Sequence, residues 1–257
     1  MSAEPSQIFV HLLPALIPAG ALRGGVAVVI DVLRATTAMV HGLAAGATHI
    51  VPCLEIDEAR GVAAALPPGT AVLAGERLGV PIEGFDLGNS PADFNASTCR
   101  GKTLVITTTN GTRAIHASRE AERVLVAGFV NLEATARALI ADGRPVHLVC
   151  AGTDGQISLE DTLLAGAIAE TLRDRGWTLE NDPARIASIL WFDVDYRIDE
   201  GETLAGVLSD GRGGRRVREL KLAPDIEAAA TLNRFDLVAE LVSNPPGIVA
   251  VPVVEPE

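Results

Sequence analysis

The strongest constraint on the fold is an alternation: short, unbroken runs of Val, Ile, Leu and Ala, separated by stretches with helical spacing. The runs fall at Val26–Ile30, Ile50–Val51, Ala71–Leu73, Leu104–Ile106, Val124–Val126 and Val146–Val149. Strands that keep one face in water alternate polar and apolar residues. These runs do not alternate, which is the pattern of strands covered on both faces. Between them the spacing predicts helices over Thr36–Ala45, Ile56–Ala65, Leu132–Ala141 and Leu159–Arg175. Aromatic residues make up only 4% of the chain, so aliphatic side chains must fill the core. The expected class is α/β, a layered fold with a predominantly buried mixed or parallel sheet flanked by helices.

A chain of 257 residues can bury one large core, and a single domain spanning 1–257 is expected. After Arg175 the pattern loosens. Gly176, Asp182-Pro183 and Gly201 punctuate it, so any boundary between two closely packed lobes falls near 176–201. Asp210–Arg216 reads as a solvated Gly/Arg-rich loop, with contact to an anion at Gly211–Arg216 as the less favoured reading, and Ile248–Val254 as a closing strand.

Several function classes are disfavoured. A net charge of −12 repels nucleic acid and anionic membrane surfaces, although a few Arg side chains or a divalent cation can still create a local anion site. No apolar run approaches the roughly 20 residues of a membrane span, and no signal-like leader is evident, so a cytoplasmic protein is expected. Cys53, Cys99 and Cys150 lack any CxxC spacing. The five histidines show no zinc-binding spacing, and no GxGxxG, GxxxxGK[ST] or GxSxG string occurs.

Polar residues suited to chemistry concentrate just after three apolar runs. Val28-Val29-Ile30 leads into Asp31-Val32-Leu33-Arg34-Ala35-Thr36-Thr37; Val105-Ile106 into Thr107-Thr108-Thr109-Asn110-Gly111-Thr112; Leu148-Val149 into Cys150-Ala151-Gly152-Thr153-Asp154-Gly155. The carboxyl ends of buried strands form the ligand crevice of α/β sheets, so these loops are expected to converge on one site. Hydroxyls and free amides at a helix start suit phosphate oxygens, while the same Thr and Asn residues also cap helices for local reasons. Asp31 and Arg34 are positioned to offer a hard oxygen ligand beside a guanidinium fork, or to pair with each other. The densest polar stretch is Gly75-Glu76-Arg77 through Gly84-Phe85-Asp86-Leu87-Gly88-Asn89-Ser90-Pro91. Glu160 and Asp161 follow Ser158 at a predicted helix start, where carboxylates are favoured whether or not they bind a metal.

In these segments the chain resembles the 2-phosphosulfolactate phosphatase family. The likeness rests on Val29–Thr36, on Gly75–Arg77 with Gly84–Pro91, on Thr107–Thr112, and on Cys150–Thr153 with Ser158–Asp161; Gly206–Leu208 and Ala223–Ile226 match more loosely. It implies hydrolysis of (2R)-2-phospho-3-sulfolactate to sulfolactate and phosphate on the route to coenzyme M. It also implies a requirement for Mg²⁺, an α/β fold distinct from the common phosphatase folds, and a homodimer. On that basis a subset of Asp31, Glu76, Asp86, Glu160 and Asp161 is expected to bind Mg²⁺, with Arg34 and Arg77 clamping the anionic groups. Asn89, Ser90, Thr108, Asn110, Gly111, Thr112 and Thr153 would surround the phosphate. The reaction would be in-line attack by water, or attack by Asp31 to give an aspartyl phosphate. A non-catalytic anion sensor on the same fold, and a metal-dependent lyase or isomerase, are the rival readings.

Overall fold

Each of the six apolar runs lies in a strand of the computed structural model, which describes residues 6–253. The strands are β1 (Gln7–His11), β2 (Val26–Ile30), β3 (His49–Pro52), β4 (Ala71–Arg77), β5 (Val80–Pro81), β6 (Thr103–Thr107), β7 (Arg123–Ala127), β8 (Val146–Cys150), β9 (Thr178–Leu179), β10 (Val238–Ser243) and β11 (Pro246–Val251). The helices are α1 (Ala35–Ala44), α2 (Ile56–Ala65), α3 (Ala96–Cys99), α4 (Gly111–Ala117), α5 (Leu132–Asp142), α6 (Leu159–Arg173), α7 (Asp182–Asp199), α8 (Leu204–Asp210), α9 (Arg212–Glu219) and α10 (Ala223–Ala229). All five residues of β2 and of β8 are buried, as their lack of alternation requires. Val254, the last residue of the expected closing strand, lies outside the described residues.

The strands form one mixed sheet in the order β5-β4-β6-β3-β11-β10-β7-β2-β8-β1-β9. Two parallel blocks, β4-β6-β3 and β7-β2-β8-β1-β9, are joined through the antiparallel hairpin β10–β11. Ala27, Val29, Val124 and Val126 of one block share a core with Ile50, Leu104 and Ile106 of the other, together with buried residues of α1 and α4. The two blocks therefore pack against the same helices. This brings the loops after β2 and β8 close to those after β4 and β6.

The segment beyond Arg175 is mostly helical, against the looser reading of the sequence. Asp182-Pro183, read as punctuation, begins α7: Pro183 occupies the first turn, where its missing N–H costs no bond, and the Asn181 side chain accepts from Ala184 N. The outer face of α7 hides its periodicity, because Ile186, Ile189, Phe192 and Tyr196 are 54–72% exposed. Asp210–Arg216 is not a solvated loop. It spans the end of α8 and the first turns of α9, whose Gly213, Gly214 and Val217 are buried.

Candidate active site

Asp31 and Glu76 come from different blocks of the sheet and line the same cavity. Its wall includes Leu33, Arg34, Leu78, Gly79, Asn89, Thr109, Asn110, Thr153, Asp154 and, from α9 and the residue that caps it, Gly213, Arg216, Val217 and Leu220. The loops after β2, β4, β6 and β8 thus meet, and α9 closes one side.

Asp31 ends β2. Its Oδ1 accepts from Ala35 N at 3.3 Å, at the start of α1. Burial pushes its carboxyl up to about 7; Glu76 and Glu160 add to the rise, while the Ala35 N–H and the Arg34 guanidinium oppose it. Gly111 makes room for this group: a Cβ there would lie 2.8 Å from Asp31 Oδ2 and 2.6 Å from Ala35 Cβ.

Glu76 organises the opposite wall. Its Oε1 accepts from Thr109 N at 2.7 Å, and its Oε2 from Gly79 N at 2.6 Å and from the Thr109 hydroxyl at 3.2 Å. A carboxylate has about four acceptor positions, so Glu76 keeps capacity for a further partner. The tight turn it holds contains Leu78, at φ +54°, and Gly79, at φ +80°. Backbone this uncommon persists where its surroundings fix it, and the fixing bonds here come from Glu76, Thr109, Arg34 and Arg216.

Arg34 is buried in an ion pair with Asp225, Nη1 to Oδ2 2.7 Å, and its Nη2 donates to Gly79 O at 2.9 Å. The Ser90 hydroxyl donates to Asp225 Oδ1 at 2.5 Å, so Ser90 stands one bond behind the guanidinium. Asp161 and Glu160 lie beneath the cavity. Asp161 ties two loops together, accepting from Val32 N and Gly152 N, both at 2.9 Å. Burial pushes its carboxyl well above the usual range, reinforced by Asp31 and Glu160. Glu160 is also pushed up by burial, against the Ser158 hydroxyl and the Gly213 N–H. Gly213 is needed for this contact, since a Cβ would lie 1.9 Å from Glu160 Oε1.

Of the expected site residues, Ser90, Gly111, Glu160 and Asp161 stand behind the cavity wall, and Arg77, Asp86, Thr108 and Thr112 also do not line it. Successive strand residues point to opposite faces; with Glu76 facing the cavity, Arg77 donates elsewhere, to Glu76 O, Leu54 O and the Thr107 hydroxyl. Asp86 is exposed and accepts from Leu73 N at 2.8 Å, which anchors its own loop. Thr108 and Thr112 bond to each other across the first turn of α4, Thr112 N to Thr108 Oγ1 at 3.2 Å and Thr108 N to Thr112 Oγ1 at 3.4 Å. These are local bonds of the helix-start kind weighed above. Thr153 lines the cavity, its hydroxyl 2.8 Å from that of Ser158.

Sequence reasoning did not place Thr109, Asp154, Asp225 or the α9 residues in the site. One signal for α9 was present: Arg212, Arg215 and Arg216 recur at helical spacing, which a coil does not require.

A family model described as 2-phosphosulpholactate phosphatase matches residues 11–244. The chain belongs to the 2-phosphosulfolactate phosphatase family. Its relatives include three that carry the name "Probable 2-phosphosulfolactate phosphatase". That of Parasynechococcus marenigrum is 42% identical over 90% of this chain and 95% of its own. That of Deinococcus radiodurans is 41% identical over 84% and 88%, and that of Caldanaerobacter subterraneus 36% identical over 83% and 86%. The family match includes every residue of the cavity wall. Among the described residues no helix is long and apolar enough to cross a membrane.

Whether these residues suit Mg²⁺ can be judged from their donors. Among the described residues no group of three or more His, Cys, Asp or Glu side chains is arranged to hold a metal ion. Mg²⁺ does not need one, because one or two carboxylates, water and substrate phosphate complete its shell. Asp31 and Glu76 are hard oxygen donors lining the cavity, and Asn89 Oδ1 is buried there without a hydrogen-bond partner. These three groups fit the ion.

Proposed function

We propose that this chain is a Mg²⁺-dependent phosphatase that hydrolyses (2R)-2-phospho-3-sulfolactate to 3-sulfolactate and phosphate. The observation that carries the reading is the convergence of Asp31 and Glu76, from opposite blocks of the sheet, with Arg34 and Arg216 around one cavity. Carboxylates alone would repel a phosphate ester. Carboxylates able to hold a divalent cation, facing guanidinium groups, recognise one.

Asp31, Glu76 and the Asn89 carbonyl oxygen would hold Mg²⁺, which supplies charge neutralisation at the phosphoryl group and a more acidic water. Arg34, fixed by Asp225, presents a guanidinium of set orientation to the ester. The hydroxyl of Thr153 and the amide of Asn110 are placed to donate to its oxygens. Leu33, Val217 and Leu220 limit access of bulk water, which strengthens each of these contacts.

The family likeness also supports a homodimer, and α7 offers a face for it. An antiparallel pairing of two copies centred on Ile189 sets Arg185 against the partner's Asp193, and Ile186 against the partner's Phe192. Such a face is self-complementary in charge as well as apolar.

The test is release of inorganic phosphate from 2-phospho-3-sulfolactate and other 2-phospho acids, with and without Mg²⁺. Mg²⁺-dependent release is expected. A chain that binds these acids yet releases phosphate from none would be a sensor, and a product with an altered carbon skeleton would indicate a lyase or isomerase. Hydrolysis of an ester with a chiral, isotopically labelled phosphoryl group separates direct attack by water, which inverts configuration at phosphorus, from an aspartyl phosphate, whose two successive displacements retain it.

A further inference from the structure

The cavity wall contains two cationic side chains, Arg34 and Arg216, and their states differ. The Arg34 charge is already matched by the buried Asp225 carboxylate at 2.7 Å, with both side chains about 5% exposed or less. Arg216 is 44% exposed, and its carboxylate neighbour, Glu219, is 3.8 Å away and 69% exposed. A pair that loose and that hydrated contributes little and is readily exchanged for another anion. The Arg216 Nη2 donates at 2.8 Å to Leu78 O, in the turn that Glu76 fixes through Gly79. The guanidinium is therefore held at the cavity wall by a neutral acceptor, with its charge available.

The proposed substrate carries two anionic groups besides the phosphate, a carboxylate and a sulfonate. Arg34 cannot balance both while it is paired with Asp225. We propose that Arg216 is a specificity-determining residue, which binds an anionic substituent of the substrate other than the phosphate. Resting on the phosphatase reading, this assignment divides the labour of the site. The Asp31 and Glu76 side handles the phosphoryl group, and α9 reads the rest of the molecule. It also explains why an Arg-rich helix is pinned so tightly: Gly213 seats it on Glu160 and Leu220 packs against Gly79, so that the guanidinium projects from a fixed position.

The experiment measures hydrolysis of 2-phospho-3-sulfolactate by wild type, Arg216→Gln and Arg216→Lys, with 3-sulfolactate and inorganic phosphate as competing inhibitors. Loss of one charge-assisted contact should raise KM and the inhibition constant of 3-sulfolactate by about 10-fold or more in the Gln variant, and by less in the Lys variant. The inhibition constant of inorganic phosphate and kcat should stay within about twofold, as expected for an interaction made equally in ground and transition states. Unchanged constants, or equal weakening of both inhibitors, in the presence of an active wild type would overturn the role of Arg216 and leave the phosphatase reading standing. A wild type that releases no phosphate would overturn the phosphatase reading and this assignment with it.

Discussion

The guanidinium of Arg34 and the carboxylate of Asp225 meet at 2.7 Å, buried, although 191 residues separate them in the chain. Their contact joins the loop after β2 to α10, and the Ser90 hydroxyl on Asp225 adds the loop before α3. Breaking a buried pair from one side leaves an uncompensated charge in a poorly solvated place. Asp225→Ala should therefore destabilise the protein by about 3–5 kcal/mol, read as a lower urea midpoint. Asp225→Asn, which keeps an acceptor for Arg34, should lose less.

Asp31 has the opposite balance of stability and function. Its carboxyl is buried near Glu76 and Glu160, which disfavour its ionised form. Asp31→Asn removes that repulsion and keeps the shape of the side chain. Phosphate release should fall by about 100-fold or more, the scale of losing one contact to developing charge. The thermal midpoint measured without added divalent ion should be unchanged or higher. A variant with near-normal turnover would take Asp31 out of the mechanism.

How far the sequence discloses this molecule depends on what each residue answers to. The strands β2, β6, β7 and β8 answer to burial on both faces, so unbroken runs such as Val26–Ile30 identify them directly. The helices α7 and α9 answer to other demands: Ile189 and Phe192 face outward on α7, and the inward face of α9 is made by Gly213, Gly214 and Val217 rather than by large apolar residues. The same contrast runs through the site. Asp31 and Glu76 stand at strand ends, where the crevice of an α/β sheet forms, and both line the cavity. Arg77 and Asp86 share the same dense polar stretch but bond to backbone elsewhere, a distinction set by strand pleat and loop path rather than residue type. Arg216 reaches the cavity through a long-range contact that local patterning cannot express.

Two histidines should give the fold an acid-sensitive component. His11 Nε2 and His147 Nδ1 are 3.2 Å apart, and His147 stacks on Phe9 with ring centroids 4.8 Å apart. Burial lowers both imidazoles, and proximity to His11 helps bring His147 down to about 4. A folded-state pKa below the unfolded value means that the unfolded chain binds protons first. The stability is thus fully present above about pH 6.5 and is lost as pH falls toward about 4. Thermal midpoints recorded from pH 7.5 to 4.5 should fall less steeply for His147→Gln than for wild type; parallel curves would exclude the pair as a cause.

The seating of α9 can be tested at a position where one methyl group decides the outcome. A Cβ on Gly213 would lie 1.9 Å from Glu160 Oε1 and 2.8 Å from Glu160 Cδ, and the carboxyl cannot retreat easily because Glu160 is 1% exposed. Gly213→Ala should cost about 1–3 kcal/mol, as overpacking does, and should lift α9 together with Arg216, Val217 and Leu220 away from the cavity. Cleavage by trypsin after Arg212 or Arg215 should become faster, and KM for the phosphate ester should rise. Gly61, in the exposed middle of α2 with no atom within 4 Å of an added Cβ, is the matched control. There the helix gains from the same substitution, so Gly61→Ala should stabilise the protein by up to about 1 kcal/mol without changing catalysis. Equal effects of the two substitutions on KM would show that the contact between α9 and Glu160 does not position the cavity wall.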